Sequence, residues 1–556
     1  VKNTIGVGLA ILVVVIGGVM FWYMSSSSGQ TSGGPGDYQS LQAATPQPLN
    51  ITGIGGYNLS SIDLGDGSVP LVRIPLDTWG GYAALFAANG GTAPNKESVF
   101  YKDHKFAVEI VSEEETQAQL DGFAAGRYPF IWASMDSLPL LYDALKSDRR
   151  VVPQAIALFD WSVGGDGIIV RDFIRRPQDL KGKTILTSMA TPYSFFMLWY
   201  LAQLDINPLD VKVVHEDDAP AALQVFKDNP SIAAWVTWTP FLTDVPDPTS
   251  PDHIPGTRLL ITSKDANQLI ADVIITRNDL VREKPEIVNG IVDGLLKGEE
   301  ILMSNGAVAF QAMAAFYKLE GGASEAREMI SEVHLPNYPE NRMFFDPENS
   351  IGAHKIFYLA QEYYKLLGIL PSGTSFEAER VIALTGLDVA QSSGRYARQT
   401  NRVVNSFNRE AGLDINDLEN QRVVLSNDIK LYFEAQKLDF DVNQNSEEIR
   451  QNMRLLERVR EQMTVLGTTI VKLIGHLDTS RVEDFRAQGP QAFVEASAQA
   501  KLISKRRAEF VKKILIENLG VEQERIITEG RGWDQPIDPL DPSANRRVEV
   551  QFLSFE

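Results

Sequence analysis

Residues 69–91, VPLVRIPLDTWGGYAALFAANGG, decide the fold of the longest part of this chain. A β-branched apolar run, VPLVRIPL, leads directly into the helical stretch YAALFAANGG. Apolar runs of about four to eight residues feeding helix-period segments indicate βα units and parallel sheets. Working outward, FAVEIVS (106–112) precedes TQAQLDGFAAG (116–126), and PFIWAS (129–134) precedes LPLLYDALKS (138–147). KTILTS, VKVVH, IAAWVTW and ADVIITR continue the rhythm. The pattern implies an α/β region of roughly 300 residues, enough for two lobes.

The strand ends carry the chemistry, because ligands of open α/β sheets sit beyond the carboxyl ends of the strands. Trp79, Gly80, Gly81 and Tyr82 follow the first run; Ser134, Asp136 and Ser137 follow PFIWA. Thr191-Pro192-Tyr193 has the form of a helix start, with Thr as N-cap and Pro at the first helical position. Thr239-Pro240, after Trp235 and Trp238, repeats that design. Singly, such caps start helices and such tryptophans pack in cores. Their recurrence at corresponding βα junctions points to one cleft with aromatic walls and a few polar groups.

LVRIPLDTWGGYAALFAANGG, LDGFAAGRYPFIWASMD, DLKGKTILTSMATPYSFFMLWYLAQLDINPLDV, AALQVFKDNPSIAAWVTWTPFL and ADVIITRNDLVREKPEIVNGIVDG occur in that order. Together they resemble periplasmic substrate-binding proteins of the nitrate, sulfonate and thiamine-precursor type, over residues 69–370. The most telling match is Asp179-Leu180-Lys181-Gly182-Lys183, the turn before the second lobe's first strand. The resemblance implies two α/β lobes around a hinge, the second at about residues 165–265, with a small molecule in the cleft. By position it makes Trp79, Tyr82, Ser134, Ser188, Tyr193 and Trp238 the cleft candidates.

Composition narrows the function classes. The chain has 556 residues, a formal charge of −20 and 44% hydrophobic residues. That length calls for two or three domains, and the negative charge disfavours nucleic acid as a partner. There is no cysteine, which removes disulfides, thiolate metal sites, cysteine nucleophiles and a lipobox anchor. Six histidines without ligand spacing make a metal site unexpected, and nothing calls for a cofactor.

Residues 5–24, IGVGLAILVVVIGGVMFWYM, carry no charge and end in the aromatic belt Phe21, Trp22 and Tyr23. At about 1.5 Å per residue such a helix crosses a hydrocarbon core of about 30 Å, so a retained anchor is expected in preference to a cleaved signal. Lys2 is the only basic residue before the span, and Arg73 and Lys96 are the next after it. The N-terminus is therefore expected in the cytoplasm. Residues 25–68 open with SSSSGQTSGGPG and read as a flexible tether. Residues 371–422 read as a connector with one or two helices.

The remaining segment, 423–556, reads as a βαβαββ α/β sandwich. IKLYFEA looks extended, residues 446–466 have helical periodicity, and TTIVKLIGHLD is a β-branched run ending in a turn. Residues 500–519 form a second amphipathic helix closed by Gly520, and RIITEGRG and NRRVEVQF are the last strands. Gly475-His476-Leu477-Asp478, Ser504-Lys505-Arg506-Arg507-Ala508, GVEQERIITEGRGWDQP and Asn545-Arg546-Arg547-Val548-Glu549 follow in order. They resemble the OmpA-like peptidoglycan-binding domain. A diaminopimelate stem peptide ends in an amine and a carboxylate on one carbon, which an anion and a forked guanidinium recognise. The resemblance assigns those roles to Asp478 and Arg507, with Asn545 and Arg547 shaping the pocket and His476 holding the turn. Two departures stand out. Arg507 lies 29 positions after Asp478, about twice the family's interval, so RVEDFRAQGPQAFVEASAQA is expected to loop out; and Ala500 stands where asparagine is common.

The leading expectation is a single-pass inner-membrane protein, bulk periplasmic and oligomeric through its anchor. It binds peptidoglycan at one end and a small molecule or protein in its middle, and it is not an enzyme, since no acid/base pair stands out for wall hydrolysis. The alternative is a stator-like single-span subunit of an ion-driven motor complex with a polytopic inner-membrane partner. The span itself carries no ionisable group for such work.

Overall fold

The computed structural model describes residues 49, 51, 53–403, 421–429, 431, 438–537 and 545–554, excepting the side chains of 427–429. The expected membrane span and most of the tether lie outside the described residues, among which no helix is long and apolar enough to cross a membrane. Five strands come first: β1 (Ser60–Asp63), β2 (Ser68–Leu76), β3 (Ala107–Ser112), β4 (Phe130–Ser134) and β5 (Pro153–Ser162). Next are β6 (Asp166–Arg171), β7 (Thr184–Thr187), β8 (Lys212–His215), β9 (Ile232–Trp238) and β10 (Thr257–Thr262). Then follow β11 (Ala271–Arg277) and β12 (Val333–His334).

One lobe holds the sheets β1-β2-β3 and β12-β5-β11-β4; the other holds β10-β6-β9-β7-β8. β2 pairs with β3, and β7 with β8 and β9, in parallel, as the βα rhythm requires. Two of these sheets are nonetheless mixed, and β12-β5-β11-β4 is antiparallel throughout. The chain passes between lobes twice, from β5 into β6 and from β10 back into β11, and these four strands enter antiparallel. Every residue of β5, β6 and β11 is buried, as expected of central strands covered on both faces.

Helix starts follow local chemistry. Helix α1 (Ala83–Asn89) is entered by a 3-10 turn at Gly80–Tyr82 and ends at Gly90, whose φ of 69° suits a residue without a side chain. Helix α2 (Pro192–Gln203) has Thr191 Oγ1 accepting from Ser194 N and Pro at its first position. Thr239-Pro240 does not repeat that design. The helix after it, Phe241–Asp244, has no side-chain cap, because the Thr239 hydroxyl donates instead to Glu332 Oε2 at 2.7 Å.

The C-terminal unit is one four-stranded sheet. Its strands are β13 (Arg422–Ile429), β14 (Ile470–His476), β15 (Ile526–Gly532) and β16 (Val548–Ser554), in the order β13-β16-β14-β15. The first strand therefore precedes most of IKLYFEA, whose residues 430 and 432–435 lie outside the described residues. Helix α3 (Glu447–Val465) is capped by Ser446, and helices α4 (Val482–Ala487) and α5 (Pro490–Glu517) follow β14. The segment expected to loop out is instead helical. It builds α4 and the first eleven residues of α5 because, after Gly489-Pro490, it is rich in Ala, Gln and Glu, which favour helix.

Candidate functional site

Two constellations stand out, one on each folded unit. In the two-lobed unit, the six residues expected at the cleft fall into two groups. On the first lobe, Trp79 Nε1 donates to both carboxylate oxygens of Asp160, at 3.2 and 3.3 Å. Tyr82 is fully buried, its hydroxyl donating to Asp77 Oδ1 at 2.8 Å and its ring packed on Trp132 and Phe159. Ser134 closes β4 and is buried. On the second lobe, the Ser188 hydroxyl donates to Asp217, and the rings of Tyr193 and Trp238 lie 5.1 Å apart. The groups meet at the crossover from β5 into β6. A Cβ on Gly165 would sit 2.6 Å from the Trp79 ring, so only glycine lets that indole lie across the crossover. Asp166 is the cross-strand partner of Trp238.

Between the groups lie carboxylates that sequence reasoning missed, apart from Asp136. Asp77 follows β2, Asp136 follows β4, Asp160 lies in β5, Asp166 opens β6 and Asp272 lies in β11. Burial pushes Asp160 up to about 8 against the pull of the Trp79 N–H, and Asp166 up to about 7. It pushes Asp77 and Asp136 to about 6 and Asp272 well above the usual carboxylate range. The signal was available: a lone Asp inside ALFDWS or IADVIITR is expensive to bury without a task.

In the C-terminal unit the GHLD turn follows β14. A Cβ on Gly475 would lie 1.9 Å from Ser504 O, so glycine allows α5 to pack directly on the strand. Asp478, two residues past the strand, accepts from Ser480 N at 3.1 Å. Arg546 Nη1 stands 3.8 Å from Asp478 Oδ2. Arg507 projects from α5 into the same place: burial and then the like charge of Arg546 draw its guanidinium below its usual range, opposed by Asp478. The other two candidates are turned inward. Arg547 Nη2 lies 3.7 Å from Glu549 Oε2, and Asn545 Oδ1 accepts from Ile537 N at 2.7 Å, closing the base of a loop. His476 is buried with its ring 3.3 Å from Glu549. Arg546 was not among the residues expected from the sequence; it and Arg547 both precede β16, Arg546 exposed beside Asp478 and Arg547 buried beside Glu549.

Among the described residues, no group of three or more His, Asp or Glu side chains could hold a metal ion. The fold and the two sites define a class: a two-lobed binding protein joined to an OmpA-type module. Residues 92–309 match the family described as NMT1/THI5 like, and residues 432–549 match the OmpA family, so the chain is a fusion of these two domains. Proteins of Brucella abortus (strain 2308) and Brucella suis biovar 1 (strain 1330) that bear the name of binding proteins are each 26% identical over 179 residues, 31% of this chain. The chain spans about half the length of these curated relatives, 54%. Among solved structures, the periplasmic aliphatic sulphonate binding protein SsuA of Escherichia coli superposes with a TM-score of 0.42 at 14% identity, covering 56% of this chain and 92% of that one. The desulfurization enzyme DSZB gives 0.38 at 16% identity, covering 58% and 99%.

Proposed function

We propose that this chain is a cell-envelope binding protein that holds peptidoglycan through its C-terminal domain and a small molecule in its two-lobed cleft. The observation that carries the reading is the meeting of Asp478, Arg507 and Arg546 on one face of the OmpA-type module. One anion between two guanidinium groups suits a ligand that presents an ammonium and more than one carboxylate, as the diaminopimelate end of a stem peptide does. Residues 5–24 supply the inner-membrane anchor in this reading, and the tether gives both domains reach across the periplasm.

The test is calorimetric titration of the detergent-solubilised chain with a tripeptide stem ending in meso-diaminopimelate. Binding is expected in the wild type, weakened at least about tenfold in Asp478→Ala and Arg507→Ala, since a charged hydrogen bond contributes about 1.5–3 kcal/mol. Unchanged affinity in both variants overturns the assignment.

A further inference from the structure

Ser134, Asp272 and Asp160 form a row across three adjacent strands, each the cross-strand partner of the next. Directly opposed carboxylates repel, so in the ligand-free chain burial keeps protons on this row, and a cation is the alternative that would let both acids ionise. Both oxygens of Asp160 accept from the Trp79 indole, and Asp272 Oδ1, on a side chain only 6% exposed, is buried without any partner. Asp77, Asp136 and Asp166 face the same place, each raising the charge that Asp272 feels. None of the five pairs with a lysine or arginine among the described residues; their neighbours are hydroxyls and one indole. An orphaned buried oxygen between two lobes calls for a donor, and a bound ligand is one source of it.

Resting on the cleft reading above, we infer that the ligand of the two-lobed domain is a small organic cation with N–H donors, an amine or a guanidinium, held by Asp272 and Asp160. A charged donor satisfies the orphaned Oδ1, and its charge offsets the surrounding acids. The carboxyls that burial keeps protonated lose protons as the cation enters, so binding releases protons to buffer.

The experiment is isothermal titration of the whole chain with putrescine and with agmatine, each in two buffers of different ionisation enthalpy. Ethanesulfonate and magnesium chloride are titrated alongside. At least one amine is expected to bind with net proton release, and Asp272→Asn is expected to weaken it about 10–100-fold, the range for losing a charge-assisted bond. Asp160→Asn is the second variant, and proton release by the wild type stands independently of how either variant folds. Binding of ethanesulfonate without the amines overturns the cation inference and leaves the cleft a ligand site. Binding of magnesium alone overturns it in favour of a metal. Silence from every probe overturns both the inference and the cleft reading.

Discussion

At the scale of single residues, burial without a countercharge sets how this protein responds to pH. Asp160, at about 8, and Asp166, at about 7, bind their protons more tightly folded than unfolded. A folded carboxyl raised above its unfolded value of 3.8 makes stability fall as pH rises through the interval between the two. Glu340 acts in the opposite direction. Burial alone raises it, but His334, Arg402 and the Asn337 N–H outweigh burial and hold it at about 2, so its contribution is present above 4.5 and lost below. The melting temperature of the ligand-free chain is therefore expected to peak where these limbs meet, near pH 4, and to drop toward pH 8.5. Asp272→Asn, which removes one buried acid, is expected to flatten the alkaline limb. Scanning calorimetry from pH 3 to 9 checks this; a melting temperature that climbs to pH 8.5 contradicts it.

At the scale of elements, two motif glycines mark where backbones touch. Gly475 lets α5 rest on β14, and Gly530 does the same on β15. Gly475→Ala is expected to cost roughly 1–3 kcal/mol in urea unfolding, the range for forcing volume into a packed contact, because the neighbour is main chain and has little room to move. Most elements of this kind were legible: VPLVRIPL, PFIWAS and IAAWVTW are strands, and the Thr191-Pro192 start is a capped helix. The segment between Asp478 and Arg507 was not. Its helical composition was visible, but its length suggested a loop, and what fixes it is a distant aromatic. Phe485 stacks on Trp533 at 5.9 Å and Phe493 approaches it at 6.3 Å, pinning the added turns to the segment that follows β15 while most of their residues stay exposed or half-buried. The sequence offered aromatic and hydroxyl residues as cleft candidates and, Asp136 apart, not the buried acids beside them, since single aspartates inside apolar strands show no period.

At the scale of the whole molecule, the C-terminal unit rests on the second lobe. Arg422, on the edge strand β13, donates to Leu260 O at 2.9 Å and to the buried Asp265 at 3.1 Å. The Tyr200 hydroxyl donates to Val424 O, Arg458 pairs with Asp205 at 2.8 Å, and Gln462 donates to Gln203 Oε1 at 3.2 Å. The hydrophobic core runs through both units without a break. These contacts join residues far apart in sequence, which is why no local pattern announced them. Arg422→Ala leaves the Asp265 charge buried without this partner. It is expected to cost about 3–5 kcal/mol, the range for breaking a buried pair, and to split unfolding into two transitions. A single transition with unchanged midpoint in differential scanning calorimetry refutes the docking.

The central claim, that this chain is held to the wall by Asp478 and Arg507, is tested most directly by co-sedimentation of the whole chain with purified sacculi. The account predicts that the wild type pellets with the sacculi while Asp478→Ala and Arg507→Ala stay in the supernatant, each folded by circular dichroism. A wild type that stays in the supernatant, or variants that pellet as fully as it does, contradicts the claim.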